Sequence, residues 1–382
     1  MDESAFMTSR LRVIKTVLVG FMVPLYLVAQ PIDKHADDQT TALFNNLRKL
    51  AGQKLMLGHQ DGLAYGVLWK KGKNRSDIKD VCGDYPAVLG WDLGYLSKKR
   101  TYNIDTVSFK SMRKWMQFIY ERGGVNTLSW HMHNLGSGGD SWDITPAVKD
   151  ILPGGKNHHL LVEQLDLFAW YLGKIKVDGR PIPIIFRPWH ENNGGWFWWG
   201  SKSCTPEEYI RLWQFTVTYL RDIRGLHNLL YCYSPSEFNT LEEMLVRYPG
   251  DDYVDILGID FYYRGTDMAV NRRSLLNRIN LQAQYALPRG KIATLSEVGY
   301  ETIPLKDWWT GTFLENVLSA FPAGQLSYAL FWRNARTNHH YAPFPGHTSA
   351  DDFVDFIEND YILTLKDLPR LYSSQTNTDL KK

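Results

Sequence analysis

The run Ile182-Pro-Ile-Ile-Phe-Arg-Pro-Trp-His-Glu191 begins as an apolar segment and ends in charged and aromatic side chains. Seven other segments of the 382-residue chain repeat this pattern. They are rich in Val, Ile and Leu without strict alternation, which is typical of parallel strands covered on both faces. The eight predicted strands are residues 55–60, 87–93, 125–131, 182–191, 229–234, 255–262, 292–297 and 326–333.

Amphipathic stretches of helical length separate these strands. A helix that starts at residue 109 is predicted to end at the pair Gly123-Gly124. Thr205, Pro206 and Glu208 form an N-terminal capping sequence for another helix. Further helices are predicted over residues 160–174, 273–286 and 312–321. Strands alternating with helices predict an α/β fold, a (β/α)8 TIM barrel that forms a single domain.

A barrel of this kind carries its functional residues at the carboxyl ends of the strands. Polar and aromatic residues do fall at or just after these ends, namely His59, Asp92, His131, Glu191, Ser234, Asp260, Glu297 and Trp332. Glu191 and Glu297 belong to the fourth and seventh runs, so both are expected on one rim of the barrel.

Two glutamates on one rim suit glycoside chemistry, in which an acid and a carboxylate flank a sugar ring. Glu191 precedes the aromatic segment Trp196-Phe-Trp-Trp199, and apolar surroundings raise the pKa of a carboxyl group, as a general acid requires. Glu297, as nucleophile, must stay ionised and is expected to accept hydrogen bonds from Arg187, Tyr262 or backbone groups. The alternative for both glutamates is a purely structural carboxylate. In the case of Glu191, this carboxylate would form an ion pair with Arg187.

The composition favours an uncharged, hydroxyl-rich substrate. Charged residues make up 22% of the chain and the formal net charge is +2, so no surface for nucleic acid or for an anionic membrane is predicted. Aromatic residues reach 14%. The three cysteines, Cys82, Cys204 and Cys232, are too few for a disulfide framework. We expect a monomer whose stability rests on a large core.

Histidines near the predicted rim allow a second interpretation. His131-Met-His133 has a spacing that suits a metal, with His59 as a third candidate ligand. Residues i and i+2 of a strand face one side, so these histidines are equally suited to hydrogen-bonding sugar hydroxyls. A carboxylate or cysteine that completes a ligand set is missing, and neither a metal nor a cofactor is predicted.

Other rim residues are candidates for holding the substrate. Asp260 suits a bond to a substrate hydroxyl, with a hydrogen-bonded rim residue as the alternative. Trp332 is placed to form a flat floor for one sugar ring. Trp142 follows the glycine-rich segment 134–140 and is a candidate cleft residue, with core packing as its alternative.

The N-terminus is predicted to be an export signal over residues 1–30. A basic segment precedes an apolar run over residues 17–29 that is too short to span a bilayer easily. Cleavage near Ala29 would leave a domain over residues 31–372 and a polar tail over 373–382. The protein is therefore expected in the periplasm or outside the cell without a membrane anchor, and a buried or anchoring helix is the alternative.

Taken together, the motifs resemble glycoside hydrolase family 26, the mannanase family within a clan of retaining (β/α)8 glycosidases. The pair His190-Glu191 is specific, since most of the clan has Asn-Glu there. The resemblance covers nearly the whole chain after the signal. The matching segments are Gly58-His-Gln60, Trp130-His131, Arg187-Pro-Trp-His-Glu191, Trp196-Phe-Trp-Trp-Gly200, Gly258-Ile-Asp-Phe-Tyr262, Ser296-Glu297 and Phe331-Trp-Arg-Asn334.

The resemblance implies a role for individual residues. Glu191 corresponds to the acid/base of the family and Glu297 to its nucleophile. The residues that would bind substrate are His59, His131, Trp142, His190, Trp196, Asp260, Tyr262 and Trp332. Tyr262 is expected near the nucleophile, and His133 is the alternative to His131.

The implied reaction is retaining hydrolysis of β-1,4-mannosidic bonds in mannans or manno-oligosaccharides. Alternative substrates within the family are β-1,3-xylan and mixed-linkage β-glucan. A metal-dependent barrel hydrolase and a sugar-binding protein without catalysis are the other function classes. Long loops over residues 63–82 and 134–153, with no accessory carbohydrate-binding module in the sequence, favour mannobiose release from chain ends or oligosaccharide trimming over internal attack.

Overall fold

The computed structural model describes residues 29–320 and 325–373. Its centre is a closed barrel of parallel strands, in which each strand pairs with the next along the chain and the last pairs with the first. The strands are β1 (Leu55–Gln60), β2 (Val88–Asp92), β3 (Val125–Ser129), β4 (Ile184–Arg187), β5 (Leu229–Tyr233), β6 (Ile256–Tyr263), β7 (Ile292–Tyr300) and β8 (Leu326–Phe331). The predicted (β/α)8 barrel is confirmed, and all eight predicted strands are present.

Helices and two short hairpins connect these strands. The α-helices are α1 (Asp38–Leu50), α2 (Asp77–Cys82), α3 (Phe109–Tyr120), α4 (Val148–Ile151), α5 (His158–Leu172), α6 (Pro206–Thr218), α7 (Leu241–Leu245), α8 (Met268–Ala286), α9 (Glu315–Ala320) and α10 (Ala350–Glu358). Shorter elements are the π-helices Tyr219–Ile223 and Trp309–Leu314, the 3₁₀ helices Asp251–Tyr253, Leu287–Arg289 and Leu365–Asp367, the hairpins Tyr65–Gly66 with Trp69–Lys70 and Lys176–Val177 with Arg180–Pro181, and the strand Ile362–Leu363 beside β1.

The capping signals read from the sequence are present. Thr205 accepts a hydrogen bond from the backbone of Glu208, whose side chain accepts one from the backbone of Thr205, so α6 begins with a complete capping box. After α3, the chain turns through Gly123, which has a left-handed φ of +88°. Both signals place a helix end where the sequence predicts it.

One end of the barrel is closed by α1. The apolar face of this helix, with Leu43 and Leu47, belongs to the same buried cluster as the barrel residues Met56, Ile185 and Leu230. A second, larger cluster fills the space between the strands and the outer helices. The carboxyl ends of the strands are therefore the end of the barrel that is left for a site.

Two strand ends differ from their predicted positions. The run that was expected to continue to residue 191 leaves the sheet after Arg187, because Pro188 has no backbone N–H to donate. In contrast, β7 continues past residue 297 to Tyr300. Between β6 and β7 the register shifts, so that Ile259 pairs with Leu295 but the next residue, Asp260, pairs with Glu297.

Cys82, Cys204 and Cys232 are free thiols. Within the described ranges, no helix is both long enough and apolar enough to cross a bilayer. The predicted signal up to residue 28 and the predicted tail from residue 374 lie outside the described residues.

Candidate active site

Glu297 on β7 is held by donors from two other strands. Its Oε1 accepts a hydrogen bond from Nη2 of Arg187, and its Oε2 accepts one of 2.6 Å from the hydroxyl of Tyr262. Arg187 closes β4 and Tyr262 lies on β6. Only 4% of the surface of Glu297 is exposed. The donors that the sequence suggested for this carboxylate are the ones found beside it, and they fix its orientation.

Asp260 lies beneath this ion pair and is buried. Its Oδ2 accepts a 2.8 Å hydrogen bond from Nη1 of Arg187, and its Oδ1 accepts one of 2.7 Å from the hydroxyl of Ser296. Ser234 adds a longer contact of 3.3 Å. These partners are protein groups, so Asp260 is placed to orient Arg187 rather than to touch a substrate.

The register shift between β6 and β7 explains how Ser296 and Glu297 serve one cluster. Successive residues of a regular strand point to opposite faces. Ser296 is the extra residue of a β-bulge, with Leu295 paired on one side of it and Glu297 on the other. Consequently both consecutive side chains, Ser296 and Glu297, reach the group around Arg187.

Glu191 lies four residues beyond β4, in a segment with an unusual backbone. Trp189 and Glu191 have left-handed φ angles of +49° and +52°, which cost a non-glycine residue about 1–3 kcal/mol. The backbone N–H of Glu191 donates to the carbonyl of Ser234 at 2.8 Å. The indole of Trp199 donates to the carbonyl of His190, also at 2.8 Å. These bonds hold the strained segment, and with it the carboxyl group, in place.

The side chain of Glu191 is oriented by Trp196. The indole Nε1 donates a 2.7 Å hydrogen bond to Oε2 of Glu191. To reach it, the ring folds back over Gly194, where a Cβ would lie only 2.4 Å from the indole. A glycine at this position is therefore required by the close approach of the tryptophan.

The two glutamates face each other across a short gap. Oxygen atoms of Glu191, Asp260 and Glu297 all lie within 4.8 Å of one another. Burial, and then the negative charge of Glu297, raise the pKa of Glu191 to about 7, although Trp196 and Arg187 act in the opposite direction. Near neutral pH Glu191 can therefore both donate and accept a proton.

A second buried chain of polar groups leads from β2 to the residue before Glu191. Oδ2 of Asp92 lies 2.8 Å from Nδ1 of His131, and Nε2 of His131 lies 3.3 Å from Nε2 of His190. Burial alone would lower the pKa of His131, but the carboxylate of Asp92 outweighs it and the pKa is raised. Burial, with the charges of Arg187 and His131, holds the pKa of His190 well below its usual value. The raised pKa favours the protonated form of His131, in which Nε2 can donate a hydrogen bond to Nε2 of His190.

Aromatic side chains line an open cleft of about 670 Å³ at this end of the barrel. Trp142 is 49% exposed and stacks on the ring of His131, with centroids 5.4 Å apart. Trp332 follows β8 directly, and its ring centroid lies 6.4 Å from that of His131. Of the alternatives considered for Trp142, the structure thus gives the cleft position rather than the core.

The predicted site residues fall into three groups. His131, Trp142 and Trp332 line the cleft. His190, Trp196 and Tyr262 surround the two glutamates, as described above. His59, like Asp260, is buried, and burial lowers its pKa to about 4.

The arrangement bears on the predicted metal alternative. In the part of the chain that the structure describes, the group of side chains close enough to share a cation is the three carboxyl groups of this site. The guanidinium of Arg187 already bonds two of them. His59, His131 and His133, the alternative ligand set, do not form such a group among these residues. The donor set therefore does not fit a resident metal ion.

The sequence did not single out one ion pair in the cleft wall. Arg333, directly after Trp332, pairs with Asp105 and lies 3.4 Å from the hydroxyl of Tyr65. The three residues line the cleft. The strand-eight motif locates Arg333, but Asp105 stands in an irregular loop, where no periodic pattern marks it.

A parallel barrel that presents two facing carboxyl groups among aromatic rings is the arrangement that barrel-type glycoside hydrolases use. The sequence model of glycosyl hydrolase family 26 matches residues 32–316. The chain belongs to this family.

Individual relatives agree with this assignment. A mannan endo-1,4-beta-mannosidase from Bifidobacterium adolescentis is 37% identical over 278 residues, which cover 70% of this chain and 27% of that protein. The enzyme of the same name from Bacillus subtilis is 27% identical over 291 residues, or 69% of this chain and 77% of the relative. This chain thus spans about a quarter of the first relative and about three quarters of the second.

Solved structures show the same fold. A family 26 beta-mannanase from Bacteroides ovatus has 42% sequence identity and a TM-score of 0.85, over 89% of this chain and 98% of that one. An endo-beta-1,4-mannanase from Cellulomonas fimi has 32% identity and a TM-score of 0.83, over 90% and 80% of the two chains.

Proposed function

We propose that this protein hydrolyses β-1,4-mannosidic bonds with retention of configuration. The observation that carries the proposal is the short gap, at most 4.8 Å, between one carboxyl oxygen of Glu191 and one of Glu297. Retaining glycosidases hold their two carboxyl groups about 5–5.5 Å apart, whereas inverting enzymes need about 6.5–9.5 Å to admit a water molecule. The short gap supports direct attack by a carboxylate.

In the first step Glu297 attacks the anomeric carbon of the mannosyl unit. The glycosidic C–O bond breaks as the Glu297–carbon bond forms, and the leaving oxygen takes the proton of Glu191. The raised pKa of Glu191 supplies that proton near neutral pH. Arg187 and Tyr262 hold the nucleophile by its two oxygens.

In the second step Glu191, now ionised, removes a proton from water as the water oxygen attacks the same carbon. The bond to Glu297 breaks, and two inversions leave the product in the β configuration. Glu191 regains its proton and Glu297 its negative charge, so the site returns to its starting state without a cofactor.

The neighbouring side chains are assigned to holding the sugar. Trp142 and Trp332 offer ring faces, and His131, whose pKa is raised by Asp92, lines the same cleft. His190 and Trp196 flank the acid. His59 and Asp260 are given positioning roles, because both are buried behind the groups that face the cleft.

Mannan is the proposed substrate because relatives of this chain are named mannan endo-1,4-beta-mannosidases. One more distant relative, 27% identical over 167 residues, is named endoglucanase H. The test is product analysis on mannan, mannopentaose, β-1,3-xylan and mixed-linkage β-glucan, with proton NMR to identify the first anomer released. A β-anomer from mannan supports the proposal, and an α-anomer or exclusive activity on another glycan contradicts it.

The same product analysis decides the mode of attack. The hairpin loop contributes Tyr65 and Lys70 to the cleft wall, and the loop after β2 contributes residues 104–106. If these walls block one end of the cleft, mannobiose will be the early product from mannan, as the sequence suggested. A ladder of longer oligosaccharides will indicate internal cleavage.

Two alternative function classes are separable by simple experiments. A metal-dependent hydrolase would lose activity in a strong chelator, whereas the site built around Arg187 should keep it. A sugar-binding protein without catalysis would bind mannan and release no product.

The proposal also covers export of the protein, the limits of its domain and its oligomeric state. We infer a signal over residues 1–30, a catalytic domain over 31–372 and a polar tail over 373–382, with the mature protein acting as a monomer outside the cytoplasm. N-terminal sequencing of the secreted or periplasmic form tests cleavage near Ala29. Light scattering of the purified protein tests the monomer.

A further inference from the structure

Two tryptophans with exposed rings stand far apart in the sequence and on different elements. Among the described residues, Trp142 and Trp170 are the tryptophans that are classed as exposed, at 49% and 42%. Trp142 belongs to the cleft. Trp170 lies on α5, on the outside of the barrel, where neither the reaction nor the core explains an exposed indole.

Connected depressions join these two tryptophans. The cleft shares Tyr95 with a second depression of about 510 Å³. The second shares Ser97 and Gln164 with a third depression of about 670 Å³, which Trp170 lines. We call the second and third depressions together the lateral groove. The lateral groove thus adjoins the cleft at Tyr95, and its outer part extends from Ser97 and Gln164 to Trp170.

The charges along the lateral groove balance. Three basic and three acidic side chains line it, namely Lys98, Lys99, Arg100, Asp140, Glu163 and Asp166. A groove with many hydrogen-bonding groups and no net charge suits a neutral, polyhydroxylated ligand better than an anionic one. This is the same chemistry that the cleft offers.

Two features of the lateral groove, at Tyr95 and at Gln164, are typical of a ligand-binding surface. Tyr95 has a left-handed φ of +66°, and the guanidinium of Arg100 lies 4.6 Å from the centre of its ring. Residues held in this backbone region cluster at ligand sites. Oε1 of Gln164 is itself buried and has no hydrogen-bond partner among the described residues, so the side chain that lines both depressions has an acceptor that its protein neighbours leave unsatisfied.

Trp170 itself is held in a defined position. The ammonium of Lys174 lies 3.4 Å from the centre of the indole and covers it from the following turn of the chain. The groove residues Glu163 and Leu167 lie on the preceding turns of α5. The ring is thus fixed on the side of Lys174 and accessible toward the groove.

From this arrangement we propose that the lateral groove binds the part of the polysaccharide chain that extends beyond the cleft, with Trp170 as a stacking platform. The occupant is a neutral mannan chain, because the groove adjoins the cleft and carries no net charge. The proposal rests on the proposed function. It assigns to Trp170 a role in holding long substrates, at a distance from the bond that is cleaved.

The test compares Trp170→Ala with Leu318→Ala, a control on α9 whose side chain is exposed to a similar extent, 41%. Kinetics are measured on an aryl β-mannobioside and on soluble polymeric mannan. Trp170→Ala should raise KM for the polymer about five- to tenfold, where tenfold corresponds to about 1.4 kcal/mol. It should leave kcat and the kinetics of the short substrate unchanged, and Leu318→Ala should behave like the wild type on both.

Affinity electrophoresis in mannan gels provides a readout that is independent of turnover. The groove is supported if mannan retards the wild-type protein and retards Trp170→Ala and Gln164→Ala less. The proposal is overturned if mannan retards all proteins equally or if only another glycan retards them. It is also overturned if Trp170→Ala loses as much activity on the short substrate as on the polymer. A wild-type enzyme that releases no product from mannan contradicts the proposed function instead, and the gel comparison still decides the groove.

Discussion

Nε1 of Trp196 lies 2.7 Å from Oε2 of Glu191, so one loop supplies both a carboxyl group and the donor that holds it. The hydrogen bond favours the ionised form of Glu191, while burial and the charge of Glu297 favour the protonated form. The balance leaves the pKa of Glu191 at about 7. A group that must give up a proton in one step and take one in the next is most effective near the working pH.

The first prediction concerns the pH profile. Because Glu191 must be protonated to act as an acid, kcat/KM should fall as the pH rises through about 7, the raised pKa of this group. Glu191→Gln cannot lose this proton, so its residual activity should show no such basic limb. Initial rates from pH 5 to 9 measure both profiles, and a wild-type limb two units higher would contradict the assignment.

The second prediction tests the indole. Trp196→Phe removes the hydrogen bond to the charged form of Glu191, so the pKa of Glu191 should rise further and the basic limb should move to higher pH. The same kinetic series measures the shift. Leu318→Ala, on the outer surface, is the control and should keep the wild-type limb. A limb that moves to lower pH in Trp196→Phe would refute the proposed balance.

The third prediction separates the two glutamates. Glu297→Ala should lower kcat by more than about 10⁴-fold, the order of loss when a covalent nucleophile is removed, with an unchanged fold by circular dichroism. Azide in place of the missing carboxylate should yield an α-mannosyl azide from an activated substrate, whereas Glu191→Ala should yield the β-azide. The exposed Glu315→Ala should match the wild type. The opposite pairing of azide products would exchange the two roles.

The fourth prediction concerns Tyr262. Tyr262→Phe removes one of the two donors to Glu297. A hydrogen bond to a charged group is worth about 1.5–3 kcal/mol, so kcat should fall about ten- to a hundredfold. Tyr263→Phe is the matched control, because the adjacent hydroxyl accepts a 3.0 Å hydrogen bond from Asn316 away from the site. Equal kinetics of the two variants would show that the Tyr262 hydroxyl has no part in catalysis.

The fifth prediction concerns stability and the buried pair of Asp92 and His131. Burial opposes ionisation of Asp92, but His131 and neighbouring donors lower its pKa, so its contribution is lost as the pH falls. The pKa of His131 is raised, so its contribution is complete below its usual value near 6.5 and is lost as the pH rises. The pair should therefore stabilise the fold most near pH 5–6.5.

Asp92→Asn should accordingly lower the free energy of unfolding by about 3–5 kcal/mol near pH 6, where a buried charge loses its partner. The loss should become smaller as the pH rises toward 9, because His131 gives up its proton as the pH passes its raised pKa. Urea titrations at the two pH values measure the difference, with the exposed Asp355→Asn as control. An equal loss at both pH values would rule out the ionic pair.

The barrel could be predicted from the sequence because parallel strands that are buried on both faces form continuous apolar runs. These runs can be recognised without knowing which residues contact each other. Glu191 was located on the correct rim for the same reason, although the strand stops at Arg187 and a left-handed segment carries the glutamate. That segment depends on bonds to Ser234 and Trp199. Such long-range partners have no local signature.

Side-chain partners were harder to predict than positions. Asp260 and His59 end their runs as the strand pattern indicates, yet both are buried, because depth below the rim depends on the tilt of each strand. Asp92 also ends a run, but its bond to His131 joins β2 to the segment after β3. Asp105 lies in a loop without periodicity, and its pairing with Arg333 required the fold.

The bulge at Ser296 lets two neighbouring side chains of β7 face the interior of the barrel, where a regular strand would turn one of them toward the helices. Deleting Ser296 would restore a regular ladder between β6 and β7 and leave the glutamate paired with Asp260, but it would remove the hydroxyl that bonds this aspartate. A related protein could thus retain both glutamates, the arginine and the tyrosine and still lack one of the donors that hold Asp260. The spacing along β7 would reveal this difference when a list of site residues would not.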